Sequence, residues 1–112
     1  HGNLYKILEG IKEINPDGLH TIEAPPIGDC TITQARKVLG KDMVLIGNIQ
    51  YDDLTRCGRE EIEEMVKNAI EEGKSGRFIL SPTAGPYEPF IDERTVNNYL
   101  AFIEAGLKYG KL

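Results

Sequence analysis

Val44-Leu45-Ile46-Gly47-Asn48 is a short apolar run that opens after Lys41-Asp42 and stops at a Gly-Asn pair, ahead of a stretch with helical spacing. The same order recurs at Thr21-Ile22-Glu23-Ala24-Pro25-Pro26 and at Phe78-Ile79-Leu80-Ser81-Pro82-Thr83-Ala84-Gly85. Strand, breaker and helix in alternation is the rhythm of βα units, which assemble α/β folds around a parallel sheet. Parallel strands deliver their C-terminal ends to one side, so functional groups are expected where these three runs close.

A barrel of eight such units takes about 250 residues. This chain of 112 residues holds at most three complete units and an opening helix. It therefore reads as one segment, residues 1–112, of a (β/α)8 TIM barrel. His1-Gly2-Asn3 runs straight into a helical pattern without an initiator Met or a leading strand, and the expectation is that something upstream has been removed. An incomplete barrel leaves strand edges and apolar surface uncovered, so self-association is expected.

Moving outward from the middle run, Leu4, Ile7, Leu8, Ile11 and Ile14 recur on one helical face until Asn15-Pro16-Asp17-Gly18 breaks the pattern. Leu19 to Glu23 supplies the first strand, Met43 to Gly47 the second and Arg77 to Leu80 the third, which Pro82 ends. Thr31 with Gln34 has capping-box spacing and opens a short helix closed by Gly40. Ile62, Met65, Val66, Ala69 and Ile70 mark the clearest helix, with glutamates in its first turn and Gly73 as its C-cap. Asp92 is placed to cap the last helix, whose expected buried stripe is Val96, Tyr99, Leu100, Ile103 and Leu107.

Composition narrows the function. The net charge is −5, and the 13 Lys and Arg are scattered rather than gathered into a stripe, so no nucleic-acid partner is expected. Cys30 and Cys57 lie far apart without C-x-x-C spacing and read as reduced thiols of a cytoplasmic protein. No apolar stretch is long enough to span a bilayer. Walker, G-x-G-x-x-G, G-x-S-x-G and H-E-x-x-H patterns are all absent.

Glu23 stands first among the candidate catalytic residues. A carboxylate closing an apolar strand sits over the barrel mouth, as a catalytic or metal-binding group or as an acceptor for the loop amides of Ala24 to Gly28. Asn48 closes the second strand, where it would hold a substrate or cap the next turn. His1 belongs to the same rim as Glu23, and the two can share a metal if a third group converges. His20, one place off the Thr21/Glu23 side, is expected to face the helix layer as a structural residue. Tyr51 and Tyr87 are the candidate substrate-binding residues. Asp52 and Asp53 beside Tyr51 form a possible acidic group or a helix cap, and Glu88 with Tyr87 is placed to roof a pocket in a loop stiffened by Pro86 and Pro89.

Taken in order, His1-Gly2-Asn3, Ile46-Gly47-Asn48-Ile49, the Glu60-Glu61-Ile62 helix start, Ile79-Leu80-Ser81-Pro82 and Asn98-Tyr99 to Lys108-Tyr109-Gly110 resemble the C-terminal part of the uroporphyrinogen decarboxylase family. The resemblance covers essentially the whole chain and implies the last three or so strands of a (β/α)8 barrel. The family includes methyltransferases that move a methyl group between a corrinoid protein and a thiol or folate, and that branch carries a zinc site. By resemblance, His1 stands where a ligand Cys precedes Gly2, Glu23 matches a glutamate ligand, and Ala84 replaces the last Cys. The resemblance thus implies zinc at His1 and Glu23, a corrinoid co-substrate, and a small-molecule substrate. Ala84 also removes the His that the decarboxylase branch places before Gly85. The expected function is a metal-assisted methyltransferase, with porphyrinogen decarboxylase and a non-catalytic half-barrel as alternatives.

Overall fold

The computed structural model describes residues 1–111. Three parallel strands, β1 (Gly18–His20), β2 (Val44–Ile49) and β3 (Phe78–Pro82), lie in the order β1-β2-β3. They alternate with α1 (Leu8–Ile14), α2 (Ile32–Leu39), α3 (Tyr51–Arg56), α4 (Arg59–Gly73) and α5 (Glu93–Tyr109), and a 3-10 turn at Tyr5–Ile7 leads into α1. This is the expected parallel α/β architecture of a partial barrel.

The pleat divides the sheet into two sides. Leu45 and Ile49 are buried and join Ile62, Val66 and Ala69 of α4 in one core, while Val44 and Ile46 alternate onto the opposite side. The register places His20, Ile46 and Ile79 abreast on that second side, and Asn48 pairs with Ser81 at the strand ends. No described element covers this side, and Ile79 is 53% exposed.

Local chemistry explains the boundaries. The Gln34 amide donates to Thr31 Oγ1 at 3.1 Å and the Thr31 amide to Gln34 Oε1 at 2.9 Å, the expected reciprocal cap of α2. Asp92 Oδ1 accepts the Thr95 amide at 2.8 Å and opens α5. Arg36, 8% exposed, donates to the carbonyls of Gly40, Met43 and Arg77, fastening the end of α2 to the starts of β2 and β3.

Several expectations are corrected. β1 ends at His20 rather than Glu23, because the loop that follows takes over the backbone: the Cys30 amide donates to the Glu23 carbonyl at 3.2 Å. Thr21, Ile22 and Glu23 are buried in succession, so the period of two stops there and His20 faces the uncovered side instead of the helices. β2 and β3 run two residues further than expected; Pro82 is tolerated because β3 pairs on one side only within the described chain. Gly73 is the last residue of α4 rather than its cap, and it is small because a Cβ would lie 2.2 Å from the Phe78 ring. In the first helical stretch Leu4 and Leu8 are buried, whereas Ile7 and Ile14 are exposed.

The largest correction concerns α5. Its buried residues are Thr95, Asn98, Ala101 and Ala105, while Val96, Leu100, Ile103 and Leu107 point outward. Small side chains let α5 pack closely on α4 and α3, and a Cβ on Gly106 would lie 3.2 Å from Leu80. Asn98 is held by donating to the carbonyls of Leu54 and Cys57, at 2.9 and 2.8 Å.

Candidate functional site

His1 and Glu23 meet at the rim above β1. His1 Nδ1 lies 3.3 Å from Glu23 Oε1, and the second carboxylate oxygen accepts the Gly2 amide. Gly2 reaches that position with φ +79°, a left-handed conformation that favours glycine. Glu23 is 5% exposed and His1 is open to solvent, so a buried carboxyl group faces an accessible imidazole.

The loop after β1 holds this carboxylate in place. A Cβ on Gly28 would fall 2.0 Å from the Glu23 carbonyl oxygen, so the loop backbone closes directly onto Glu23. Asp29 Oδ1 accepts the amides of Leu4 at 2.8 Å and Tyr5 at 3.0 Å, tying the His1–Asn3 segment to the same loop. Sequence reasoning missed Asp29. Its signal was the short Gly28-Asp29 turn, since Asp readily accepts backbone amides at the start of a helical turn.

His20 belongs to this rim as well. Its ring centroid is 6.5 Å from that of His1, edge-on at 81°, and its Nε2 is 3.4 Å from the Pro82 carbonyl oxygen. Thr21 Oγ1 is buried without a partner beside Gly47. Among the described residues, no three His, Cys, Asp or Glu side chains converge at metal-ligand distance.

Tyr51 and Tyr87 come together apart from the His1–Glu23 pair. Their rings are 5.3 Å apart, and the Tyr51 hydroxyl donates to Glu88. That bond, with burial second, pushes the Tyr51 phenol up to about 12 and holds the Glu88 carboxyl below its ordinary range. Thr83 Oγ1 accepts the Tyr51 amide at 3.2 Å and donates to Gln50 Oε1 at 3.1 Å, seating the start of α3 against the end of β3.

Asn48 does not join the His1–Glu23 pair. It lines a concavity of about 290 Å³ together with Pro25, Pro26, Gln50, Asp52 and Asp53. Burial, then Asp52, raises the Asp53 carboxyl. A concavity of about 750 Å³ between the N-terminal ends of α4 and α5 contains none of the expected site residues. Burial also pushes the Cys57 thiol there up to about 11, and burial followed by Asp29 raises Cys30, so neither is an activated thiolate.

No protein-family model matches the chain, and no curated protein matches it. Among solved structures, the chain is similar to a methyltransferase from Methanosarcina mazei, with a TM-score of 0.73 and 22% identity over 99% of this chain. The match takes in 30% of that chain's length. It shows the fold: a three-stranded parallel α/β arrangement like that of part of the longer barrel chain. No helix among the described residues is long and apolar enough to cross a membrane.

Proposed function

We propose that this chain forms part of a uroporphyrinogen decarboxylase-family methyltransferase that moves a methyl group between a corrinoid and a thiol or folate with the help of a metal. The observation that carries this reading is the 3.3 Å separation of His1 Nδ1 and Glu23 Oε1. Two donors each about 2.0–2.1 Å from a tetrahedral zinc stand about 3.3–3.4 Å apart. The fold similarity to a methyltransferase supports the same direction.

The residues present fit such a metal in part. His1 supplies a neutral nitrogen donor and Glu23 an anionic oxygen donor, while Ala84 has no donor atom. When bound, zinc supplies a lowered thiol pKa and so a thiolate at neutral pH. The chain's own work is orientation. Gly2 and the loop through Gly28 fix Glu23, Asp29 fixes the segment bearing His1, and the exposed Tyr87 ring, backed by the buried Tyr51, offers aromatic surface to a substrate.

The reading is tested on the intact protein by metal analysis, by transfer of methyl from a methylcorrinoid to a thiol or folate, and by porphyrinogen decarboxylation. Stoichiometric metal with methyl transfer is the expected result. Decarboxylation by a metal-free protein would make Glu23 a hydrogen-bonding residue of a tetrapyrrole site. Inactivity in both assays would favour a binding module.

A further inference from the structure

We propose that residues 84–91 form a strap that folds back from the end of β3 to the end of β2 and is held shut by one latch, the hydrogen bond from the Tyr51 hydroxyl to Glu88 with the Tyr87 ring seated beside it. The strap controls access to this part of the rim, whether or not a metal is bound at His1 and Glu23.

The two ends of the segment are firmly held. Thr83, 2% exposed, donates its amide to the Ile49 carbonyl at 2.8 Å, and Asp92 caps α5 through the Thr95 amide. Between these anchors residues 84–91 are all exposed, and none of their backbone groups bonds to another part of the described chain. Among the described residues, the Tyr51–Glu88 bond is their one side-chain hydrogen bond to another element. A segment with so few bonds and so little buried surface opens at low free-energy cost. Pro86 and Pro89 restrict φ, so the segment moves as a stiff piece, and Gly85, with open space around it, supplies a pivot.

The latch joins two elements. Tyr51 is 5% exposed and opens α3 directly after β2, whereas Glu88 lies beyond β3. A phenol donating to a carboxylate is a charge-assisted bond, about twice as strong as a neutral one, so this single contact sets the balance between shut and open. Shutting the strap also completes an apolar recess of about 330 Å³, in which Pro86 and Ile91 join Val96, Tyr99 and Leu100 of α5. Opening dismantles the recess and frees the Tyr51 hydroxyl to donate to an acceptor oxygen of a substrate at the strand ends.

The test is limited chymotrypsin digestion of the intact protein, with cleavage after Phe90 followed by mass spectrometry. Cleavage of a transiently opened segment tracks the population of its open form. Tyr51→Phe, which keeps the ring and removes the hydroxyl, and Glu88→Gln, which keeps the shape and removes the charge, are each expected to speed cleavage after Phe90 by about tenfold. The double variant should be no faster than the quicker single variant, because both remove one bond. Glu63→Gln, which loosens Lys108 and Tyr109 at the far end of α5, should leave the rate unchanged. Wild-type rates in both Tyr51→Phe and Glu88→Gln would overturn the latch. An equal acceleration in Glu63→Gln would also overturn it, by showing general loosening of α5 instead of release of the strap.

Discussion

α4 and α5 carry similarly periodic apolar residues and use them in opposite ways. In α4, Ile62 and Val66 are fully buried against β2. In α5, the corresponding large residues are turned out, with Leu107 69% exposed, and the buried contacts fall to Ala101 and Ala105. Periodicity identifies a helix's faces, but which face is inward depends on how close the neighbour comes. Close approach selects small residues on α5, whereas the large aliphatic residues Ile62 and Val66 of α4 fill the core it shares with β2.

Truncating the α4 side should have the largest effect. Ile62→Ala is expected to lose about 2–5 kcal/mol by chemical denaturation, and Leu107→Ala less than about 0.5 kcal/mol. Similar losses would erase the distinction. Enlarging the tight face is next: Ala101→Leu should cost about 1–3 kcal/mol through overpacking. Asn98→Ala should cost about 1–3 kcal/mol by stranding the carbonyls of Leu54 and Cys57.

The outward face offers a subtler test. Val96, Leu100, Ile103 and Leu107, together with the uncovered sheet side, motivate self-association of this chain. Leu100→Lys with Leu107→Lys is expected to lower the sedimentation-averaged mass with little change in stability. A compact wild-type monomer at high concentration would count against association through this face.

The smallest effect is a pH response at the roof loop. Glu88 has a folded pKa below its ordinary value, so its contact with Tyr51 contributes above the unfolded carboxylate range and is lost as pH falls through the folded value. Tyr51 is raised to about 12, so its favourable term is full below the ordinary phenol pKa and is lost between there and about pH 12. Phenolate absorbance should therefore show Tyr51 titrating late, beside a Tyr99 that burial also raises, and Glu88→Gln should return Tyr51 toward the ordinary range.

Much of the fold was legible because strands, breakers and caps are local. The Thr31–Gln34 box and the Asp92 cap follow from spacing alone, and the proximity of His1 and Glu23 follows from placing both at strand ends. The side faced by His20 was not legible, since it turns on where β1 stops, and that is set by a loop amide from Cys30 reaching the Glu23 carbonyl. The direction of α5 was hidden for a related reason: only the tertiary approach of α4 and α3 decides that Ala101 and Ala105, rather than Leu100 and Ile103, are inside.

The covered side of the sheet supports the fold, and the rim above β1 carries the proposed chemistry. The most direct test is methyl transfer from a methylcorrinoid to a thiol by the wild-type protein and by Glu23→Gln, compared at equal folded fraction. Gln keeps an acceptor for the Gly2 amide but removes the anionic donor. The expected result is a stability change within about 1 kcal/mol and loss of nearly all activity and bound metal. Full methyl transfer by a folded Glu23→Gln protein would contradict the assignment of the site.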